Sequence, residues 1–159
     1  MAVLIRKMQP SDLEPAVNLL AKYNMAPTPE RSDAERSGLS IENSFVAVEG
    51  ARLAGLASYI IISADRAETA SLAVDPAFRG QGVGARLQTA RLREMKQRGV
   101  RWVRTESDRP ETLAWYVRKF AYVEIGKNPK KHDFSLPDVA DWTVLELDLT
   151  ALDLTQFEP

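Results

Sequence analysis

The chain has no cysteine, and that one absence removes disulfides, thiol nucleophiles and cysteine-ligated zinc together. Histidine is almost as scarce: His132 is the only one in 159 residues, so a histidine pair or histidine-rich metal site is excluded and no metal is expected. Neither sign of charge is in excess, since 21 Lys and Arg face 22 Asp and Glu for a net charge of −1. That balance offers no support for binding nucleic acid or an anionic membrane. Long apolar runs are missing too. None could span a bilayer, and the one near Met1 to Met8 is too short for a signal peptide. A cytoplasmic location is the expectation.

What remains is the make-up of one globular domain, 45% hydrophobic and 27% charged, long enough to bury a single core. Residues 3–8 read as a strand. Ser11-x-x-Glu14 has the form of a capping box, and Leu13, Ala16, Val17, Leu20 and Ala21 then follow the spacing of one buried helix face. Residues 25–43 read as a loop with one short helix around 30–39. Strands are expected at 44–48 and 53–62, joined at Glu49-Gly50, and at about 66–74. An amphipathic helix over 82–98 stops at Gly99; its polar face carries Arg86, Thr89, Arg93 and Lys96, and Arg91 interrupts the apolar residues Leu87, Leu92 and Met95. A strand at 100–106 leads to a helix started by Asp108-x-x-Glu111 with Pro110 and running to about residue 119. Strands at 122–126 and 142–149 close the series. The stretch 128–141 is a long polar connection, and 150–159 reads as an appendage.

The most informative segment is Val74-Asp75-Pro76-Ala77-Phe78-Arg79-Gly80-Gln81-Gly82-Val83-Gly84-Ala85. Glycines at alternate positions let backbone take positive φ and approach a bound group closely. A helix opening there presents N–H groups without intrahelical partners and the positive end of its dipole, a ready diphosphate site. Arg79 adds a cation. A plain tight turn is one alternative. A dinucleotide fingerprint is another, since Gly80-x-Gly82-x-x-Ala85 matches its form with Glu106 further on, but Pro76 to Arg79 intervene between strand and glycines. A Walker-type loop fails because no Lys-Ser or Lys-Thr follows Gly84.

The same residues resemble motif A of the GCN5-related N-acetyltransferases (GNAT), Val-x-Pro-x-x-Arg-Gly-x-Gly-x-Gly/Ala, at every fixed position from Val74 to Gly84. The resemblance implies a single α/β domain over residues 1–159, with its core at about 3–149 and a mixed, mostly antiparallel central sheet flanked by helices. It implies acetyl-CoA as co-substrate, with Leu72, Ala73 and Val74 along the pantetheine and Arg79, Gly80, Gln81, Gly82, Val83, Gly84 and Ala85 around the diphosphate. The implied reaction is acetyl transfer to an amine of a small molecule, peptide or protein, by direct attack in a ternary complex. Dimers are common in the family, and nothing local in this chain decides that point.

Acetylating an amine requires its neutral form. A lysine side chain is neutral in roughly one molecule in 2,500 at pH 7, an α-amino group in about one in seven. A base therefore matters more for lysine-like acceptors. Glu68 and Glu106 are the candidates, Glu106 favoured by its place at a strand end. The family's second motif resembles Phe-Tyr-x-Lys-x-Gly-Phe, whose tyrosine protonates the departing thiolate. Here Tyr116-Val117-Arg118-Lys119-Phe120-Ala121-Tyr122 puts Val117 at the tyrosine position and Ala121 at the glycine. Tyr116, one residue away, is the leading acid. A thiolate is also a tolerable leaving group without one. His132 is a further acid–base candidate beside Asp133. Lys130 and Lys131 would suit an anionic acceptor, and Trp115 and Trp142 would line a pocket or fill the core. The altered second motif leaves two other functions open: a non-catalytic acyl-CoA-binding module and, less well matched, a nucleotide-binding oxidoreductase fragment.

Overall fold

The computed structural model describes residues 2–26, 39–130 and 135–157. Its strands are β1 (Leu4–Lys7), β2 (Ser44–Glu49), β3 (Arg52–Ile61), β4 (Arg66–Val74), β5 (Trp102–Ser107), β6 (Val123–Pro129) and β7 (Asp141–Asp148). They form one seven-stranded sheet in the order β1-β2-β3-β4-β5-β7-β6. Only β4 and β5 run parallel; every other neighbouring pair is antiparallel. The mixed, mostly antiparallel sheet that the motif A resemblance implies is the one observed.

Among the described residues three helices flank it: α1 (Leu13–Ala21), α2 (Val83–Gln97) and α3 (Pro110–Phe120). Alternation along the strands assigns their faces. Val46, Leu56 and Ala73 stand in register and pack with Leu19 and Leu20 of α1. Ala47, Ala54 and Ala57 meet Val83 and Leu87 of α2. Small residues are needed on that side because α2 lies close. A Cβ on Gly55 would stand 2.9 Å from the Ala73 carbonyl oxygen and 3.0 Å from Leu87 Cδ1. Further along, Leu92 and Met95 of α2 share a core with Tyr116 and Phe120 of α3 and with Val103, Leu145 and Leu147.

Local departures from the sequence reading have physical causes. The Ser11/Glu14 box does not form, because a 3-10 turn over Pro10–Asp12 precedes α1. The Asp12 carboxylate instead accepts from the Gln9 N–H at 2.7 Å and is gripped by Arg6 at 2.7 Å. Thr89 is buried rather than on a polar face, its hydroxyl donating to the Ala85 carbonyl at 2.7 Å. The C-terminal tail is not an appendage. Leu149, Leu152 and Leu154 are buried in the main core, and the Phe157 ring lies 4.8 Å from that of Phe120. Polar residues between those leucines hid the pattern: Asp148 and Asp153 spend their carboxylates accepting from the N–H groups of Thr150 and Thr155 in two 3-10 turns. The short helix expected around 30–39 lies outside the described residues.

Candidate active site

The site begins where the one parallel pair comes apart. β4 and β5 are paired at Arg66↔Trp102, Ala67↔Val103 and Glu68↔Arg104, and no further. Beyond that fork β4 stays with β3 as far as Val74, and β5 stays with β7 as far as Ser107. Thr69 stands at the fork, its hydroxyl donating to the Arg104 carbonyl at 3.4 Å. A cavity of about 550 Å³ occupies the gap, lined by residues 68–74 of β4, by 104–109, and by Trp115, Tyr116 and Trp142. Splitting a sheet in its middle leaves a strand edge whose backbone groups need partners. An extended ligand lying along β4 would supply them, as an added strand does.

At the end of β4 the chain is fixed before it turns. The Asp75 N–H donates to the Ala54 carbonyl at 2.8 Å, and its carboxylate accepts from the Ala77 N–H at 2.9 Å. That bond, aided by Lys22 and Arg52, holds the Asp75 carboxyl below its ordinary pKa. Phe78 is buried as an anchor. Gly80 and Gly82 then take φ of +78° and +75°, the left-handed region that glycine enters without strain. Gly82 is the N-cap of α2 and, having no side chain, leaves the first N–H groups of the helix uncapped. A Cβ at either glycine would meet nothing within 4 Å, so the space before the turn is open. Of the expected cofactor residues, Leu72, Ala73, Val74, Arg79 and Gly84 line the cavity. Gly80 and Gln81 are exposed on the turn, while Gly82, Val83 and Ala85 carry it into the helix, with Val83 buried beneath. Arg79 donates to the Tyr23 hydroxyl at 2.8 Å, and Tyr23 donates to the Val74 carbonyl at 2.6 Å.

Both carboxylate candidates reach the cavity, Glu68 at the fork and Glu106 near the end of β5. Glu106 accepts from the Asn128 amide at 3.3 Å. On α3, Glu111, Thr112, Trp115 and Tyr116 face the cavity, whereas Val117 is 45% exposed and does not line it. The helix thus aims Tyr116, not the family's tyrosine position, at the site. Trp115 and Trp142 are pocket-lining and half-buried. Ala121 holds φ +60° at the end of α3, the conformation for which the family's glycine is suited. His132 and Lys131 lie outside the described residues.

The expectation that Lys130 attracts an anionic acceptor does not hold. Its ammonium is buried against Asp108 at 2.5 Å, donates to the Leu136 carbonyl at 2.6 Å and lies 4.6 Å from the centre of the Trp142 ring. Asp108 is correspondingly no helix cap; Arg109 occupies that position, and its N–H donates to the Ser107 hydroxyl at 3.2 Å. Burial pushes the Asp108 carboxyl up, but Lys130, the Leu136 N–H and the Ser135 hydroxyl outweigh it and hold it below the usual carboxylate range. Its Oδ1 is nevertheless buried without a hydrogen bond of good geometry. Ser135, at φ +65°, ties the β6–β7 connection to two other segments: its N–H donates to the Asn24 carbonyl at 3.0 Å, and its hydroxyl accepts from Arg109 Nε at 2.8 Å. No sequence signal foretold Tyr23, Asp108 or Ser135 in the site, because each partner comes from a distant segment.

Among the described residues no group of histidine and acidic side chains could hold a metal, and no helix is long and apolar enough to cross a membrane. A comparison of the sequence with curated proteins gives no significant match. Solved structures are similar over most of the chain. Ard1 from Thermoplasma volcanium superposes with TM-score 0.77 at 22% identity, covering 93% of this chain and 98% of its own. The ribosomal-protein-S18-alanine N-acetyltransferase from Escherichia coli gives 0.73 at 21%, covering 93% and 94%. N-acetylglutamate synthase from Neisseria gonorrhoeae, complexed with coenzyme A and N-acetyl-glutamate, gives 0.68 at 20%, covering 94% of this chain and 35% of its own. At these identities the likeness is one of fold. The sequence itself matches the family described as Acetyltransferase (GNAT) over residues 13–122, and with the split sheet and the glycine turn in place the chain belongs to that family.

Proposed function

We propose that the protein is an acetyl-CoA-dependent N-acetyltransferase acting on a small-molecule or peptide amine, by direct attack with both substrates bound. The observation that carries this is the uncapped start of α2 at Gly82, opening on free space beside a strand that has lost its neighbour. A diphosphate suits those N–H groups and the helix dipole. The backbone of Leu72 to Val74 suits the pantetheine arm. The bound thioester would supply an activated acyl group; the rest is done by the chain.

A cavity of about 550 Å³ is of the size that holds a metabolite or the end of a peptide. Glu106 accepts the proton that the attacking amine loses, with Glu68 as the second carboxylate within the same cavity. Tyr116 donates a proton to the departing sulfur. With no cysteine present, an acyl-enzyme lacks its usual carrier, which favours direct transfer. His132 keeps a candidate acid–base role to be tested by substitution. A cytoplasmic location fits the intracellular supply of such a thioester.

The test is release of free thiol from acetyl-CoA with a panel of amino acids, polyamines and peptides bearing free N-termini. Turnover with one class supports the assignment and names the acceptor. Tight CoA binding with no turnover on any acceptor, unchanged by substitution of Glu106 or Tyr116, supports the second reading, a non-catalytic acyl-CoA-binding module. That reading draws on the family's tyrosine position being a solvent-facing valine, Val117.

A further inference from the structure

Among the described residues Arg91 is the largest fully buried side chain, with no exposed surface, and no carboxylate pairs with it. A buried guanidinium without a counter-ion is costly and persists only when its donors are satisfied. Here neutral groups do this. Nε donates to Gln88 Oε1 at 2.6 Å, and Nη1 donates to the carbonyls of Ser58 and Ser71 at 2.9 and 3.0 Å. Nη2 donates to the Tyr116 hydroxyl at 2.8 Å.

The two carbonyls are not arbitrary. The β3–β4 register passes from Ala57↔Leu72 to Tyr59↔Thr69, so Ser58 faces both Ala70 and Ser71 across a bulge. Arg91 staples that bulge from below, on the stretch of β4 that lines the cavity. Its remaining bond points to Tyr116, which lines the same cavity. Arginine cannot accept a hydrogen bond, so Tyr116 is the acceptor and its own proton goes elsewhere. Among the described residues no group takes that proton. Rotation about the C–O bond is limited by the lone pair that Arg91 occupies, and the ring is wedged edge-on between Trp115 and Tyr122 at 5.0 and 5.1 Å.

We propose that Arg91 is a positioning residue for proton donation: it occupies the Tyr116 hydroxyl from behind, turns that proton into the cavity, and places a fixed positive charge where negative charge develops on the departing sulfur. This rests on Tyr116 being the acid. The step balances as follows. The acyl carbon–sulfur bond breaks with its electron pair on sulfur while the carbon–nitrogen bond forms. The amine's proton passes to Glu106, and the Tyr116 O–H proton passes to sulfur, giving the thiol. Solvent then returns a proton to Tyr116 and takes one from Glu106. A fixed cation and a preset donor help because they need no rearrangement as charge appears.

The experiment is a double-mutant cycle with Tyr116→Phe and Arg91→Met, read as kcat and as KM for acetyl-CoA with the fastest acceptor of the panel above. Tyr116→Phe is expected to lower kcat about a hundredfold, at the lower bound for an acid catalyst. Arg91→Met lowers it about tenfold with KM changed less than about twofold, and adds nothing in the Tyr116→Phe background. Equal losses from Arg91→Met in both backgrounds mean a structural staple and overturn the proposal. A Tyr116→Phe enzyme at full rate overturns the acid assignment itself and Arg91's role with it. Should Arg91→Met fail to fold, or no acceptor turn over, the wild-type protein crystallised with CoA gives the answer. Sulfur within hydrogen-bond reach of a Tyr116 oxygen still bonded to Arg91 supports the proposal. Sulfur bonded elsewhere, or no CoA in the cleft, overturns it.

Discussion

The two sides of the cleft are built by different means. On the β1–β4 side, the turn that opens α2 is set by backbone and by small residues: Gly55 under α2, the tie between Asp75 and Ala54, and two left-handed glycines ahead of an uncapped helix. On the β5–β7 side, side chains do the assembling. Asp108 and Lys130 form a buried ion pair, Ser135 joins Arg109 to Asn24, and the exposed strand β6 is held at the edge by β7. The first side is suited to a ligand held through backbone groups, the second to one held through side chains. A backbone cradle can be kept with few residue types, whereas a pocket of side chains can be rebuilt one residue at a time.

That contrast can be broken from either side. The largest effect is expected from Asp108→Asn, which strands the buried Lys130 ammonium. Removing one partner of such a pair costs about 3 kcal/mol, read as a fall in denaturation midpoint, while CoA affinity in the folded fraction is unchanged. Acid should weaken the same contact. With the Asp108 pKa held below its unfolded value, its contribution is present above about pH 4 and is lost as pH falls through the folded value. Glu106→Gln comes next, lowering kcat about a hundredfold at pH 7 with little change in KM for acetyl-CoA. Glu68→Gln giving that loss instead would exchange the roles of the two carboxylates.

Across the cleft, Gly55→Val forces a Cβ against the Ala73 carbonyl and costs about 2 kcal/mol, seen by chemical denaturation. Gly82→Val meets no neighbour but must adopt φ +75°, and it narrows the approach to the turn. The folded variant should bind CoA about tenfold more weakly by calorimetry, the loss of roughly one good hydrogen bond to a charged group. The smallest effect has the opposite sign. Ala121→Gly relieves a left-handed alanine at the end of α3 and should stabilise the protein by about 0.5–1 kcal/mol.

The same division explains what could be read from the sequence. Alternation and helix spacing placed nearly every strand and helix to within a residue or two, and the glycine spacing located the turn, because those signals are local. Arg91 stood out as a charge among the apolar residues of α2, but only the fold shows that two strand carbonyls, Gln88 and Tyr116 satisfy it. Asp108 had the local form of a helix cap, and its real partner, Lys130, lies twenty-two residues on. The buried tail was missed for a third reason. Leu152 and Leu154 follow neither helix nor strand periodicity, since Leu152 follows one 3-10 turn and Leu154 opens the next.

A crystal of the protein soaked with acetyl-CoA bears most directly on the account. The predicted result is a diphosphate within hydrogen-bond distance of the backbone N–H groups between Gly80 and Gly84, with the pantetheine beside Leu72 to Val74. Density for the coenzyme elsewhere, with the glycine turn free of it, would contradict the account.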